Sequence, residues 1–380
     1  MSDLSLLTWL LVVAALVIGI LAGHFGWGRR WPGGSGKLHP DYLAGLDFLV
    51  TEQPDRALDM FLKLLDANVD TVETHFALGS LYRRRGEVDR AIRIHQNLLA
   101  RDALPQQHRE QALLALARDH LRAGLLDRAE GLFQQVSEVP RLRASALDAL
   151  RGVYELQCDW QQALGAFRSL ARIGAAPSSN IAAHYLCELA AGAIGKGDTD
   201  AARTLLREAR AQKTPLPRAA LLRADIARRA GDRALAVRLL RVAIDQSPTL
   251  LQAELPNLLA LVGPAERDEI LEHLVKKAAA PDLEVLKKLV FAAFAADLGS
   301  AAVLRPCIEK VLSQDPALQA VFQAGAGHYE RIAQEIGALM AHAEKYRCNE
   351  CGFSVRSFYW QCPACRAWDS FETYAVIKLG

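Results

Sequence analysis

The sequence lacks the features by which most enzymes and nucleic-acid-binding proteins are recognised. It contains no H-E-x-x-H, no G-x-S-x-G and no dinucleotide-binding fingerprint. Its 45 basic side chains barely outnumber its 43 acidic ones, so there is no overall positive charge to attract nucleic acid. The sequence therefore predicts a protein that is not an enzyme and that does not bind nucleic acid.

Aromatic residues are also scarce, at 7% of the chain, and β-branched residues are few beside alanine, leucine and arginine. This composition favours helices and argues against an all-β protein. Hydrophobic residues make up 51% of the chain, which is enough for a buried core. The chain of 380 residues is long enough for more than one domain. We predict an all-α fold class for the bulk of the chain.

The longest apolar run lies at the N-terminus, where residues 4–23 carry no charge. A helix of this length crosses a bilayer core of about 30 Å, so the run predicts a transmembrane helix. A cleaved signal peptide would need a basic segment before the run, whereas only Asp3 precedes it. Arg29, Arg30 and Lys37 follow it, which predicts that the N-terminus faces outward and that the bulk lies in the cytoplasm.

Residues 24–37 are rich in glycine and predict a juxtamembrane linker. The segment ends in Gly36-Lys37 and so has some likeness to a phosphate-binding loop. Trp31 stands where a phosphate-binding loop requires Gly, and Leu38 stands where it requires Ser or Thr. These two residues exclude a phosphate-binding loop.

A repeat organises residues 38–249. Small residues recur at intervals of 34 to 39 residues, at Ala57, Ala91, Ala129, Ala163, Ala202 and Ala236. This is the period of the tetratricopeptide helix-turn-helix repeat, in which small residues let two helices approach closely. We predict about six repeats, the alternative being an unrelated helical bundle. Residues 250–345 keep helical spacing without the signature and predict degenerate helical repeats that continue the solenoid.

A tetratricopeptide solenoid presents a groove lined by the first helix of each unit. The repeat phase places a set of basic and apolar residues there, which would suit an acidic or amphipathic peptide. A solvated helix face is the alternative. The predicted partner-binding residues are Tyr42, Phe76, Arg83, Arg84, Leu114, Arg118, Arg122, Arg228 and Arg229.

Four of the seven cysteines lie in the last 33 residues, at Cys348, Cys351, Cys362 and Cys365. Two C-x-x-C pairs can close a tetrahedral metal site, and Gly352 lets the backbone amides turn toward the sulfurs. A thioredoxin-like redox role is the alternative, but no βαβ pattern surrounds either pair. We expect the nearby aromatic residues Phe353, Tyr359, Trp360 and Trp368 to form the module's core or its contact with the helices. The three isolated cysteines, 158, 187 and 307, are predicted to be core residues.

Together, the membrane helix, the repeats, the stretch GEVDRAIRIHQNLL at 86–99 and the terminal YRCNECGF and YWQCPACRAW resemble the lipopolysaccharide assembly protein B family. The resemblance implies a rubredoxin-like module at 346–375 with the four terminal cysteines as ligands and iron as the metal. A single tetrathiolate-bound ion can equally be zinc on physical grounds. Arg366 stands where electron-carrying rubredoxins have Gly, and the gap between the two pairs is shorter, which argues against electron transfer.

The resemblance further implies an inner-membrane adaptor of a Gram-negative bacterium that regulates lipopolysaccharide synthesis. Its implied partners are a membrane-anchored ATP-dependent metalloprotease, the lipid A deacetylase that the protease degrades, and other lipopolysaccharide assembly proteins. The N-terminus would be periplasmic. The alternatives are a general membrane-tethered co-chaperone scaffold and a redox protein that uses the metal module.

Overall fold

The computed structural model describes residues 43–45, 47–48, 53, 56–61, 71–212, 215–278, 309–311 and 344–373. The predicted membrane helix at 4–23 and the linker at 24–37 lie outside these residues, as do Tyr42, Cys307 and most of the predicted degenerate repeats after residue 278. Within the described ranges, no helix has the length and apolar character needed to span a bilayer.

The described helices come in pairs joined by short turns, and the chain divides into two compact units, Met1–Asp119 and His120–Gly380. Residues 43–45, 47–48 and 56–61 are helical and precede the first helix whose bounds are described. The helices are α1 (Val72–Arg84), α2 (Val88–Leu99), α3 (Gln106–Arg122), α4 (Leu126–Ser137), α5 (Arg143–Gln157), α6 (Trp160–Arg172), α7 (Ser179–Gly195), α8 (Thr199–Gln212), α9 (Pro217–Arg229), α10 (Arg233–Gln246), α11 (Leu251–Ala260) and α12 (Pro264–Ala278), with a 3-10 turn at Pro248–Leu250.

The alanines of the repeat lie in the core of the paired helices. All of them are completely buried, as the repeat phase predicted: Ala57, Ala91, Ala129, Ala163, Ala202 and Ala236. A methyl group at these positions lets the helix backbones approach closely, and larger neighbouring side chains such as Phe61 and Phe133 fill the space around them. The prediction of a mostly helical tetratricopeptide fold is thereby confirmed for the described repeats.

Several second helices of the pairs begin with the same aspartate cap. Asp159, Asp198 and Asp232 each accept a hydrogen bond from a backbone amide three residues later, at 3.1, 3.0 and 3.0 Å. A residue with positive φ precedes each aspartate, namely Cys158 (56°), Gly197 (81°) and Gly231 (79°). The sequence thus encodes the turn and the start of the helix together.

This turn corrects the prediction that Cys158 is a core residue. Cys158 ends α5 in the left-handed conformation that glycine adopts in the other two turns, and this turn position leaves its thiol exposed. The apolar pattern around it belongs to the helix that precedes the turn. The same prediction is confirmed for Cys187, which is fully buried in α7.

In the first unit, the absence of a side chain at Gly79 leaves room for the buried ring of His95. A Cβ atom added at Gly79 would lie 2.4 Å from Cε1 of His95, closer than real contacts allow. The His95 ring is buried and its Nδ1 lies 2.5 Å from Oδ2 of the fully buried Asp119. The other oxygen of Asp119 accepts a hydrogen bond from Arg83 at 2.7 Å, so the buried carboxylate is paired on both sides.

The C-terminal module contains a three-stranded antiparallel sheet that the sequence analysis did not predict. Its strands are β1 (Tyr346–Cys348), β2 (Ser354–Val355) and β3 (Phe371–Thr373), in the order β2-β1-β3. Tyr346 pairs with Val355 on one side and with Thr373 on the other. Tyr346, Cys348, Cys362 and Phe371 form a small buried core.

We predict that Gly79→Ala destabilises the protein by about 1–3 kcal/mol, because the added methyl group must displace His95 from its contact with Asp119. Urea unfolding monitored by circular dichroism measures the change. The control is Gly131→Ala on the exposed face of α4, where a Cβ meets no atom within 4 Å. This control is expected to stabilise the helix by about 0.5–1 kcal/mol, and equal effects of the two substitutions would contradict the account.

Candidate metal centre and its contact with the helices

The four C-terminal cysteines lie together in the described part of the module. Their sulfur atoms are all within 4.8 Å of one another, with Cys348 and Cys365 at 3.6 Å and Cys351 and Cys362 at 3.8 Å. A metal ion with bonds of about 2.3 Å to four sulfurs at tetrahedral angles separates those sulfurs by about 3.8 Å. The observed spacing therefore fits one tetrahedral ion.

Two similar turns hold the cysteine pairs in place. The residue after the second cysteine of each pair has a positive φ, 75° at Gly352 and 65° at Arg366. Backbone amides of Glu350 and Cys351 reach the sulfur of Cys348, and the Ala367 amide reaches that of Cys365. Amides directed at sulfur stabilise thiolates, which are the form that binds metal.

The surroundings shift the pKa values of Cys348 and Cys365 in opposite directions. Burial raises the pKa of Cys348, but its hydrogen bonds with Ser370 and with the backbone amides outweigh this effect and hold that pKa at about 6. For Cys365, the Ala367 amide lowers the pKa, yet the adjacent cysteines help to raise it to about 12. A bound cation removes the repulsion between thiolates, so the four together suit a metal better than they suit four free thiols.

The donor set defines the chemistry that a metal could provide here. Four thiolates complete a tetrahedral coordination shell and leave no position for a substrate, as in structural zinc sites. Iron and zinc both accept this geometry, so the spacing does not select between them. An ion held in this way would stabilise the short module, because its binding energy is also folding energy.

The module packs on first helices of the repeats through Trp368. The Trp368 ring stacks on that of His184 in α7, with centroids 4.7 Å apart and an interplanar angle of 16°. The guanidinium of Arg218 in α9 lies 5.8 Å from the Trp368 centroid and 5.7 Å from that of Trp360. Arg218 is itself paired with Glu188 at 2.7 Å. Both tryptophans thus contact cationic or aromatic groups that belong to the helices.

A buried carboxylate on α5 accepts hydrogen bonds from the same part of the module. Gln361 Nε2 and Trp368 Nε1 donate to Glu155, at 3.3 and 3.5 Å. Gln361 and Trp368 are partners in an antiparallel bridge, which presents both side chains to one acceptor. Arg151 lies 2.7 Å from Glu155 and balances its charge.

Tyr185 completes this network from α7. Its hydroxyl donates a hydrogen bond to Glu155, and its ring meets Trp368 edge to face at a centroid distance of 6.0 Å. Burial, followed by the negative charge of Glu155, raises the pKa of Tyr185, so the hydroxyl keeps its proton. The contact between module and helices is therefore a connected polar network with aromatic rings around it.

Sequence reasoning identified only part of this contact. Trp360 and Trp368 meet the helices as expected. Phe353 and Tyr359 are 43% and 47% exposed, and the Tyr359 ring lies at the edge of the module's core, 6.4 Å from the ring of Phe371. The partners on the helices, Glu155, His184 and Arg218, were missed. A local signal for these three partners was that each is a polar residue at a position where the helix pattern calls for a buried, apolar one.

The predicted partner-binding residues of the first unit have different environments. Arg84 and Arg118 are exposed, whereas Arg83 forms an ion pair with the buried Asp119. Phe76 packs against the core cluster of Leu98, Leu104 and Ala112. Leu114 is 8% exposed, so its side chain offers almost no surface to a partner.

In the second unit, Arg122, Arg228 and Arg229 are exposed. Arg228 and Arg229 both pair with Asp225, at 2.6 and 2.9 Å, so their charges are partly compensated on their own helix. Their role in binding a partner stays a prediction.

We predict that Cys348→Ser or Cys365→Ser abolishes stoichiometric metal binding and unfolds the module, because the ion supplies much of its stability. Elemental analysis measures the metal, and tryptophan fluorescence reports whether Trp360 and Trp368 still contact the helices. The matched control is Cys158→Ser, which removes an exposed thiol outside the module. Retention of one metal per chain by the double variant of Cys348 and Cys365 would contradict the assignment.

We also predict that Trp368→Ala loosens the contact by at least about 2 kcal/mol, since the ring contacts both His184 and Arg218. Faster amide hydrogen exchange in the module and in α7 is the expected result. Tyr359→Ala, which removes a half-exposed ring beside Phe371 of the same module, should cost less than about 1 kcal/mol and leave exchange in α7 unchanged. Unchanged exchange in α7 for the Trp368 variant would show that the contact carries little energy.

Comparisons with known proteins agree with both parts of the chain. Residues 346–373 match a family described as a rubredoxin metal binding domain, and residues 74–108 and 187–250 match tetratricopeptide repeat families. Lipopolysaccharide assembly protein B of Escherichia coli K12 is 34% identical and aligns with 93% of this chain and 95% of its own length. The protein of the same name from Haemophilus influenzae is 28% identical, over 93% of this chain and 96% of its own. The chain belongs to the lipopolysaccharide assembly protein B family.

Proposed function

We propose that the protein is a non-catalytic adaptor that regulates lipopolysaccharide synthesis by promoting proteolysis of the lipid A deacetylase. Membership of the lipopolysaccharide assembly protein B family supports the pathway. The observation that carries the adaptor role is the closed four-sulfur site packed on tetratricopeptide helices. Such a site stabilises a protein surface and offers a substrate no open coordination position.

In this proposal, the apolar segment at 4–23 anchors the chain in the inner membrane with its bulk in the cytoplasm. The protease partner is a membrane-anchored ATP-dependent metalloprotease. Confinement to the same membrane raises the effective concentration of adaptor and protease, so each contact can be weak. The deacetylase is then presented for degradation without a reaction being catalysed by the adaptor.

The surface that captures a partner is assigned to the exposed arginines of the first unit. Arg84 ends α1 and Arg118 lies on α3, and both are exposed. Arg83 is excluded from this role because it neutralises the buried Asp119. Removal of Arg83 would leave the buried Asp119 with His95 as its partner. Loss of one member of a buried ion pair typically costs about 3–5 kcal/mol and would confuse loss of binding with loss of folding.

We predict that the double variant Arg84→Glu and Arg118→Glu folds normally but captures less partner, with a longer lifetime of the deacetylase in cells. Exposed helix substitutions usually change stability by less than about 0.5 kcal/mol. The measurement is the deacetylase half-life after translation is stopped, in a deletion strain complemented with each variant. The control is Arg93→Glu, an exposed arginine on α2 of the same unit.

Two outcomes separate the parts of this proposal. A deletion strain in which deacetylase turnover is unchanged would contradict the adaptor function itself. A normal half-life with the double variant, when deletion does slow turnover, would contradict only the choice of Arg84 and Arg118.

A further inference from the structure

A cavity of about 640 Å³ opens between α8, α9 and α10 in the second unit. None of the metal ligands, and none of the residues that contact the metal module, lines it. Its apolar floor is formed by Leu206, Ile226, Leu235 and Leu239, and arginines line its polar part. An apolar floor with a few convergent charged groups is typical of a small-ligand site.

The arginines come from two helices and converge on the cavity. Arg203, Arg207 and Arg210 lie at four- and three-residue spacing along one face of α8, and Arg223 reaches the cavity from α9. Two carboxylates, Asp200 and Asp232, also line it. Four positive and two negative side chains leave a formal excess of two positive charges.

Both carboxylates already have other partners. Asp200 lies 3.4 Å from Arg203, and its side chain is 92% exposed. Asp232 caps α10 by accepting a hydrogen bond from the Leu235 amide at 3.0 Å. Neither forms an ion pair with Arg223 in the part of the chain that the structure describes.

Among the four arginines that line the cavity, Arg223 has the fewest interactions with neighbouring groups. Within the ranges that the structure describes, no carboxylate pairs with it and no acceptor receives a hydrogen bond from it. Burial, together with the positive charges of Arg210 and Arg238, lowers the pKa of Arg223. The folded protein thus holds a partly buried positive charge next to other positive charges, an arrangement that a bound anion would relieve.

The excess charge and the shape of the donors indicate which anion fits. A phosphate monoester carries a charge of about −1.5 to −2 at neutral pH and has three acceptor oxygens. Guanidinium groups bind such oxygens in pairs, with two parallel hydrogen bonds each. A single carboxylate would neutralise only half of the excess, whereas a phosphate monoester matches it.

We propose that the cavity between α8, α9 and α10 binds a phosphate monoester carried on a partly apolar molecule. The phosphate is held by Arg223 and the arginines of α8, and the apolar part lies on the leucine and isoleucine floor. This inference rests on the cavity alone and is independent of the adaptor role.

Phenyl phosphate is a suitable probe because it joins a phosphate monoester to an apolar ring. Titration of the purified full chain by calorimetry should show saturable binding, with phenyl sulfate and benzoate at least tenfold weaker. Arg223→Gln should weaken phenyl phosphate binding at least tenfold. The matched control is Arg228→Gln on the same helix, which is outside the cavity and paired with Asp225, and it should leave binding unchanged.

Thermal unfolding separates lost binding from lost folding. The Arg223→Gln variant removes a repulsive charge, so without ligand it should melt at the same temperature as the wild type or higher. Phenyl phosphate should raise the melting temperature of the wild type and of the Arg228 variant but not that of the Arg223 variant. No saturable binding by the wild type, equal affinity for all three anions, or equal binding by the Arg223 and Arg228 variants would each overturn the proposal.

The natural source of the phosphate is tested with two further probes. Vesicles containing phosphatidic acid present a lipid phosphate monoester, and hexyl phosphate presents a soluble one with an apolar chain. Arg223-dependent binding of the vesicles, and not of phosphatidylglycerol vesicles, would support a lipid ligand. Arg223-dependent binding of hexyl phosphate alone would support a soluble one, and binding of neither would overturn a physiological role for the site.

Discussion

The stacking of Trp368 on His184, with Arg218 also against its ring, is the contact that joins the metal module to the helices of the second unit. A module of about thirty residues buries too little apolar area to fold alone, and below about 40 residues metals or other staples are usually needed. Here the tetrathiolate site and the contact with α5, α7 and α9 act together. A bound metal would order the turns that carry Trp360 and Trp368, and the helices provide the surface that these rings cover.

The hydrogen bonds between the module and Glu155 determine how the module is oriented on the helices. Glu155 is buried, and its carboxylate accepts hydrogen bonds from Arg151, from Tyr185 and from the two donors of the module. Loss of the module would expose the Glu155 carboxylate and the His184 ring to water. Glu155 would lose the hydrogen bonds from Gln361 and Trp368, and His184 would lose its stacking contact with Trp368. We therefore expect metal binding at the cysteines to stabilise helices that contain none of the ligands, because a ligand that binds only the folded state stabilises everything that folds with its site.

The sequence predicted those features whose cause is local or periodic. Buried alanines recur with the repeat, and the cysteine spacing determines the two metal-binding turns. The contact of Trp360 and Trp368 with the helices was expected, but their partners could not be predicted, because His184 and Arg218 lie far from Trp368 in the chain and no spacing relates them. Cys158 was misassigned because its apolar neighbours belong to a helix that ends in a left-handed turn at that residue. The cavity beside Arg223 was missed for a related reason, since its arginines come from different helices.

Amide hydrogen exchange of the full chain, with and without metal, tests most directly whether the metal module and the helices form one structural unit. The account predicts that removal of the metal by a chelator increases exchange in α7 and α9, which carry His184 and Arg218, as well as in the module. Exchange in α1 and α2, which belong to the other compact unit, should stay the same. Unchanged exchange in α7 and α9 after complete loss of the metal would contradict the account.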